Sequence, residues 1–95
     1  MTDNVEYFTR HYTSAIKING NSTYDVDISN AVLTSLGFKA GDLIYGSPEI
    51  KLPDGVIYNV MIVTDNTITV RYANTTSSPI NVNATNFNFK ISRVK

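Results

Sequence analysis

The residues that could carry catalytic chemistry in this chain are few. It has one histidine, His11, and no cysteine, so a nucleophile activated by a base would depend on His11 alone. Asp25 and Asp27 stand two residues apart, which on a strand is about 6–7 Å between Cα atoms. A calcium ion needs six to eight oxygen ligands, and no Asp-rich loop supplies the others. We therefore expect no enzymatic activity, metal ion or cofactor; a small enzyme would have to use Asp25, Asp27 and His11.

The charges and glycines argue against nucleotide and nucleic-acid binding. Eight basic and eight acidic residues give a net charge of zero, whereas a nucleic-acid surface needs clustered Lys and Arg. The five glycines are dispersed as turn residues and do not gather in a phosphate-binding loop. Lys90, Arg93 and Lys95 come close together only near the C-terminus, which predicts a solvated chain end. We expect neither nucleic acid nor a small-molecule substrate as a partner.

The apolar runs are too short for a membrane helix, which needs about 18 residues or more. The longest run, Val56–Val63, is interrupted by a Tyr-Asn pair. The first six residues lack the basic start and apolar run of a signal peptide, so we expect synthesis and use without secretion, and no membrane partner. Three Asn-x-Ser/Thr triplets, at Asn21, Asn74 and Asn83, are expected by chance in a chain rich in Asn and Thr.

Alternation of apolar and polar residues indicates strands around the two aspartates. Residues 14–18 alternate around Lys17, and residues 23–28 alternate so that both aspartates point away from the apolar face. Between these segments, Asn19-Gly20-Asn21 is a turn signal in which Gly20 can adopt a positive φ. The two segments are therefore predicted to form a hairpin.

The middle of the chain predicts one short helical turn and one strand. The turn is predicted over residues 30–36, with Ser29 as its N-cap and Gly37 directly after its end. The strand is predicted over residues 43–46 and ends before Pro48, because proline cannot donate to a β-ladder.

The clearest strand signal lies over residues 56–73. The β-branched and aromatic run Val56–Val63 meets Thr67–Tyr72 across a short link, which predicts a hairpin. Val56–Val63 is apolar on both faces, as expected of a central strand or of one that a partner covers. Residues 74–84 are predicted to form a loop. In the last strand Phe87, Phe89 and Ile91 alternate with polar residues and close the core.

These elements predict an all-β fold: a small antiparallel β-sandwich of about six to seven strands, Ig-like or jelly-roll-like, with one short helical turn. A small open barrel is the alternative. Residues 13–95 are predicted to form this single domain, and residues 1–12 an N-terminal arm, because they precede the first clearly alternating strand.

The arm contains the residues that most resemble a binding site. Tyr and Phe are favoured anchors of protein interfaces, so side chains of the arm that stay outside the core would form an apolar contact strip. The predicted partner-binding residues are Tyr7, Phe8, His11 and Tyr12. The alternative is that residues 1–12 pair as a seventh strand and belong to the core, and the sequence leaves both open.

Three segments follow one another along the chain: Lys39-Ala40-Gly41-Asp42, then Tyr45-Gly46-Ser47-Pro48, then the hairpin strand and loop from Asp65-Asn66-Thr67 to Ser78-Pro79-Ile80. This order resembles small β-sandwich modules in the virion proteins of tailed bacteriophages. Such modules occur in capsid decoration or auxiliary proteins and in head and tail fibres. The likeness covers roughly residues 14–94 and includes the auxiliary proteins of crAss-like phages, which share an Asn-, Ile- and Lys-rich composition. It brings no catalytic residues with it.

The resemblance implies a capsid auxiliary or decoration protein that stabilises the phage head. Its expected partners are the major capsid protein and neighbouring copies of itself. Its expected place is the surface of the head in the virion, after synthesis in the cytoplasm of the bacterial host. The alternative is a receptor- or carbohydrate-binding module of a head or tail fibre, whose surface Tyr and Asn residues would stack on and hydrogen-bond to sugars. The lack of Trp weighs against that alternative.

Overall fold

Residues 4–29 and 31–94 are described by a computed structural model of the chain. Within them lie eight strands and one helix of six residues. In chain order their bounds are β1 (Asn4–Thr13), β2 (Ile16–Ile18), β3 (Thr23–Ile28), α1 (Ala31–Leu36), β4 (Leu43–Pro48), β5 (Val56–Thr64), β6 (Thr67–Asn74), β7 (Ile80–Val82) and β8 (Thr85–Val94). The predicted all-β class with one short helical turn is confirmed. Residue 30, where that turn was predicted to begin, and residues 1–3 and 95 lie outside the described residues.

The core lies between two three-stranded antiparallel sheets, ordered β1-β8-β4 and β3-β6-β5, while β2 and β7 form a short two-stranded ribbon. Alternation turns one side of each central strand inward, so that Phe87 of β8 meets Tyr72 of β6 edge to face, with ring centroids 6.3 Å apart. The buried hydrophobic residues are Ile18, Leu33, Phe38, Val56, Ile62, Ile68, Val70, Tyr72, Val82, Phe87, Phe89 and Ile91. Every strand except β1, β3 and β4 supplies at least one of them.

The predicted hairpin over residues 56–73 is confirmed as β5 and β6. Thr64 pairs with Thr67 across a two-residue turn, in which Asn66 has a φ of 63°. However, β5 is an edge strand of its sheet, so a central position does not explain why it is apolar on both faces. The region 74–84, predicted as a loop, contains the short strand β7.

The hairpin predicted for residues 14–28 is wrong, although both of its strands form. β2 pairs with β7 and β3 pairs with β6, so the chain changes sheets between them. The turn packs against the loop that follows β6, since the backbone amide of Asn21 donates to the Thr76 carbonyl at 2.7 Å. The approach is so close that a Cβ on Gly20 would overlap the Ser77 carbonyl. Asn21 takes the positive φ, 53°, that was predicted for Gly20.

Residues 4–12, for which the sequence allows either a free arm or a seventh strand, form a strand. β1 pairs with β8 along its whole length, from Asn4 opposite Val94 to Thr13 opposite Thr85. The physical reason is the length of β8, which at ten residues offers a partner to every residue of β1. The prediction of an arm over residues 1–12 is corrected accordingly for residues 4–12.

Of the three basic residues predicted to form a solvated chain end, Arg93 is bound within the fold, with 21% of its side chain exposed. Arg93 donates to Asp42 through Nε at 3.0 Å and Nη2 at 2.9 Å, and Nη2 also donates to the Gly37 carbonyl. Burial pushes the pKa of Asp42 upward, but hydrogen bonds from the Lys39 amide and from Arg93 outweigh it and leave the pKa below its usual value. This contact fastens the segment after α1 to β8. Gly37 itself has a φ of 71°, as predicted for the residue after the helix.

The molecule is elongated. Its extents are 50 × 20 × 20 Å and its radius of gyration is 14.3 Å, against about 12 Å for a compact domain of this length. A long, thin sandwich leaves much of each sheet's outer face and both pairs of sheet edges in contact with solvent.

Candidate protein-binding surface

The outer face of the β1-β8-β4 sheet carries the most exposed aromatic side chains of the described residues. Phe8 is 74% exposed, Tyr12 67% and Tyr45 65%. We call this surface the aromatic face; its members are Phe8 and Tyr12 of β1, Asn88 and Lys90 of β8, and Leu43 and Tyr45 of β4.

Strand alternation and register place these side chains on one face. Along β8, Phe89 points into the core, and Asn88 and Lys90 point outward. Phe8 and Tyr45 stand opposite Lys90 from its two sides, so their Cα atoms lie about 10 Å apart across three strands. A shallow groove of about 230 Å³ runs between the two rings. The face therefore presents two apolar anchors with a cationic side chain between them.

The Lys90 side chain is held in place within this row. Its Nζ lies 5.9 Å from the centroid of the Phe8 ring and 3.3 Å from Glu6 Oε1. The first distance is within cation–π range. Because these contacts are exposed to solvent, they add little to stability. They restrict the movement of the ammonium group and of the Phe8 ring, and both remain accessible.

A polar network lies beside the aromatic row. Arg10 donates to Glu49 through Nε at 2.7 Å and Nη2 at 2.8 Å, and Asn88 Nδ2 donates to Glu49 at 2.9 Å. These hydrogen bonds, first those from Arg10 and then that from Asn88, lower the pKa of Glu49 to about 2. The Glu49 carboxylate likewise raises the pKa of Arg10. The charges in this part of the face are thus compensated within the chain.

The four predicted binding residues divide between the two sides of β1. Phe8 and Tyr12 belong to the aromatic face. Tyr7 packs its ring edge to face on Phe38 at 5.6 Å. The His11 ring lies 6.3 Å from that of Phe89. Tyr7 and His11 therefore face the core and support the strand, while Phe8 and Tyr12 are available to a partner.

Four members of the aromatic face were not predicted from the sequence: Leu43, Tyr45, Asn88 and Lys90. Leu43 and Tyr45 were assigned to a strand but not to a binding surface, and both are more than half exposed. The usable signal was alternation, which places Leu43 and Tyr45 on the same side of β4. In the structure the other side faces the core, where Gly46 lies against Phe89 and Val60.

The two aspartates that could have formed a catalytic or metal site accept hydrogen bonds from side chains of β6. Asp25 accepts two hydrogen bonds from Arg71, at 2.7 and 2.9 Å, which lower its pKa. Asp27 accepts one from Thr69 Oγ1 at 2.8 Å. His11 lies in the other sheet. Over residues 4–29 and 31–94, no cluster of three or more His, Cys, Asp and Glu side chains could hold a metal ion.

No known family, curated protein or solved structure matches this chain. Among the described residues, no helix is long and apolar enough to cross a membrane.

Proposed function

We propose that this chain is a structural protein that docks its aromatic face on another protein, and that it is an auxiliary protein of a tailed-phage head bound to the major capsid protein. The observation that carries the docking role is the row Phe8–Lys90–Tyr45, in which two large rings are exposed on one sheet face. Partly polar surfaces with aromatic anchors are typical of protein interfaces.

The capsid role is supported by the sequence resemblance to phage virion modules over residues 14–94. The fold is compatible with that role, since an elongated sandwich can lie along a shell and contact it over the length of one sheet. The compensated charges of Glu6, Lys90, Arg10 and Glu49 also suit a protein partner better than a strongly charged polymer.

The test is binding to purified capsids of a tailed phage whose genome encodes the chain, stripped of the chain beforehand. Wild-type chain is expected to sediment with the capsids. The variant Phe8→Thr/Tyr45→Thr is expected to bind at least about tenfold more weakly, because truncating an interface anchor typically costs more than 1 kcal/mol. Threonine suits a strand, so the fold is preserved.

Tyr24→Thr is the matched control, since Tyr24 is a partly exposed aromatic residue of the other sheet. It should bind as wild type does. Wild-type chain that stays in the supernatant would reject the capsid role. Equal binding by wild type and the double variant would reject the aromatic face as the contact.

A sugar-binding module of a phage fibre is the second candidate. The groove between Phe8 and Tyr45 favours it, because Ser47, Asn88 and Lys90 border that groove and could hydrogen-bond to a sugar stacked on a ring. A glycan array separates the candidates: binding that Phe8→Thr abolishes, in a chain that does not sediment with capsids, would favour the fibre module.

A further inference from the structure

One side of the sandwich leaves two strand edges open. β4 ends one sheet and β5 ends the other, and among the described strands each pairs with a single neighbour. Their edges adjoin, since the Tyr58 hydroxyl of β5 donates to the Gly46 carbonyl of β4 at 3.0 Å. The Tyr58 hydroxyl thus occupies a carbonyl group that could otherwise accept a hydrogen bond from a neighbouring strand. We call this surface, Leu43–Pro48 with Val56–Thr64, the β4/β5 side.

The β4/β5 side differs sharply in charge from the opposite side. Neither β4 nor β5 contains a charged residue, whereas the edge strands of the opposite side, β1 and β3, contain Glu6, Arg10, Asp25 and Asp27. Proteins commonly protect sheet edges from pairing with charged residues, prolines and bulges. On the β4/β5 side, Pro48 and the register shift between Met61 and Thr64 lie at the strand ends, which leaves the rest of both strands unprotected.

Apolar side chains surround these open edges. Ile57 is 61% exposed and Val63 62%. Two grooves, of about 520 and 400 Å³, follow the line between the strands. The first is bordered mainly by apolar residues, among them Pro48, Ile50 and Leu52. The β4/β5 side therefore combines unpaired backbone with exposed apolar surface.

We propose that the β4/β5 side binds a second copy of this chain across a two-fold axis, with β5 antiparallel to its counterpart and β4 beside its own. A two-fold axis makes identical strands antiparallel, so each edge meets its own complement. A charged partner would lose solvation on this uncharged surface without gaining an opposite charge. The β4/β5 side of a second copy is itself uncharged and avoids that cost. Since the chain's net charge is zero, the copies do not repel each other. This proposal uses the strand edges of the β4/β5 side, which adjoins the aromatic face and shares Leu43 and Tyr45 of β4 with it, and it goes beyond the proposed function.

The available area is sufficient for a dimer of moderate affinity. β5 has nine residues, about 30 Å of strand, and the molecule is 20 Å thick. Their product is about 600 Å² per copy, or about 1,200 Å² in total, which is the lower limit for specific interfaces. An interface at this limit is expected to form reversibly, so the dimer should dissociate on dilution.

The experiment is sedimentation equilibrium of the full chain from about 1 to about 500 µM. Wild type is expected to change from monomer to dimer over this range. Ile57→Lys/Val63→Lys should weaken association at least about tenfold, because it places like charges on the β5 strands of the two copies, which face each other in the dimer. Thr23→Lys adds one charge of the same sign at an exposed position of β3 and should associate as wild type does.

A wild-type chain that remains monomeric at the highest concentration would overturn the proposal. So would equal weakening by Thr23→Lys, or growth beyond the dimer. If the double lysine variant does not fold, Ile57→Thr/Val63→Thr keeps strand propensity and should still weaken the dimer.

Hydrogen exchange at low and high concentration locates the interface independently. Amides of β4 and β5 should become more protected in the dimer, and those of β1 and β3 should not. Protection at β1 and β3 instead would contradict the proposal. Capsid sedimentation by the lysine variant keeps the two claims separate, since the dimer can fail while the aromatic face still binds.

Discussion

At the scale of single residues, Asn74 is the most fully used polar side chain of the described fold. Its Nδ2 donates to the carbonyls of Ile18 at 3.1 Å and Ser78 at 2.7 Å. Its Oδ1 accepts from the amide and hydroxyl of Thr76 at 2.9 and 2.7 Å. Asn74 thus joins β2, β6 and the loop after β6, and its side chain is buried.

Replacing Asn74 by alanine should lower the free energy of unfolding by about 2–4 kcal/mol, because it leaves several buried groups without hydrogen bonds. Chemical denaturation measures this loss. Asn81→Ala, at an exposed position of β7, is the control and should change stability by no more than about 0.5 kcal/mol. Similar losses for the two variants would contradict the assigned role of Asn74.

Glu49 predicts a dependence of stability on pH. Its pKa of about 2 in the folded chain lies below its ordinary value of 4.5, so the folded state favours the ionised carboxylate. The resulting stabilisation is present above about pH 4.5 and is lost as pH falls toward 2. Stability should fall less across this interval in Glu49→Gln than in wild type. Part of the decrease in stability should remain in the variant, because the pKa values of Asp25 and Asp42 are also lowered in the folded chain.

An NMR titration of the Glu49 side chain gives the midpoint directly. A midpoint near 4.5, or an equal loss of stability in wild type and variant, would show that the Arg10–Glu49 pair does not form in solution.

Residue types alone indicated part of the proposed binding surface. Phe8 and Tyr12 were predicted as contact residues because exposed aromatic side chains suit interfaces, and they lie four apart on one side of a strand. Tyr7 and His11 were included because the strand was not recognised, and with it the alternation that turns them toward Phe38 and Phe89.

At the scale of elements, turn signals predicted one hairpin correctly and one incorrectly. Both Asn19-Gly20-Asn21 and Asp65-Asn66 are turn sequences between alternating segments. The first instead crosses between sheets, because the loop after β6 supplies the Thr76 carbonyl that binds the Asn21 amide. That contact joins residues more than fifty positions apart, and local sequence patterns carry no information about it.

Packing of β4 against β5 depends on Gly46. A Cβ at this position would lie 2.8 Å from a Phe89 ring carbon and 2.8 Å from Val60 Cγ2. Gly46→Ala should therefore lower the free energy of unfolding by about 1–3 kcal/mol through overpacking. Ser47→Ala, at the neighbouring exposed position, should be nearly neutral. Unchanged thermal stability of Gly46→Ala would contradict the close approach of the two sheets there.

At the scale of the whole molecule, composition and periodicity were sufficient for the fold class. Alternation in the segment that became β8 identified Phe87, Phe89 and Ile91 as inward residues, whereas the segment that became β5 was apolar on both faces and gave no such signal. Sheet order was not predictable in this way, because it depends on which edges meet after the chain collapses. The long pairing of β1 with β8 and the edge position of β5 are both consequences of that order.

The two proposed surfaces assign different tasks to adjoining parts of the elongated sandwich, which meet at β4. The aromatic face would fix the chain to a partner protein, and the β4/β5 side would join copies to each other. Both tasks suit a neutral chain whose candidate acid–base residues are bound in structural contacts.

The most direct test of the docking claim is hydroxyl-radical footprinting of the chain bound to phage capsids and free in solution. Phe8, Tyr12 and Tyr45 react readily in the free chain because their rings are exposed. All three are expected to become protected on the capsid while Tyr24 stays reactive. Bound chain in which Phe8 and Tyr45 react as fast as in the free state would contradict the claim that this face makes the contact.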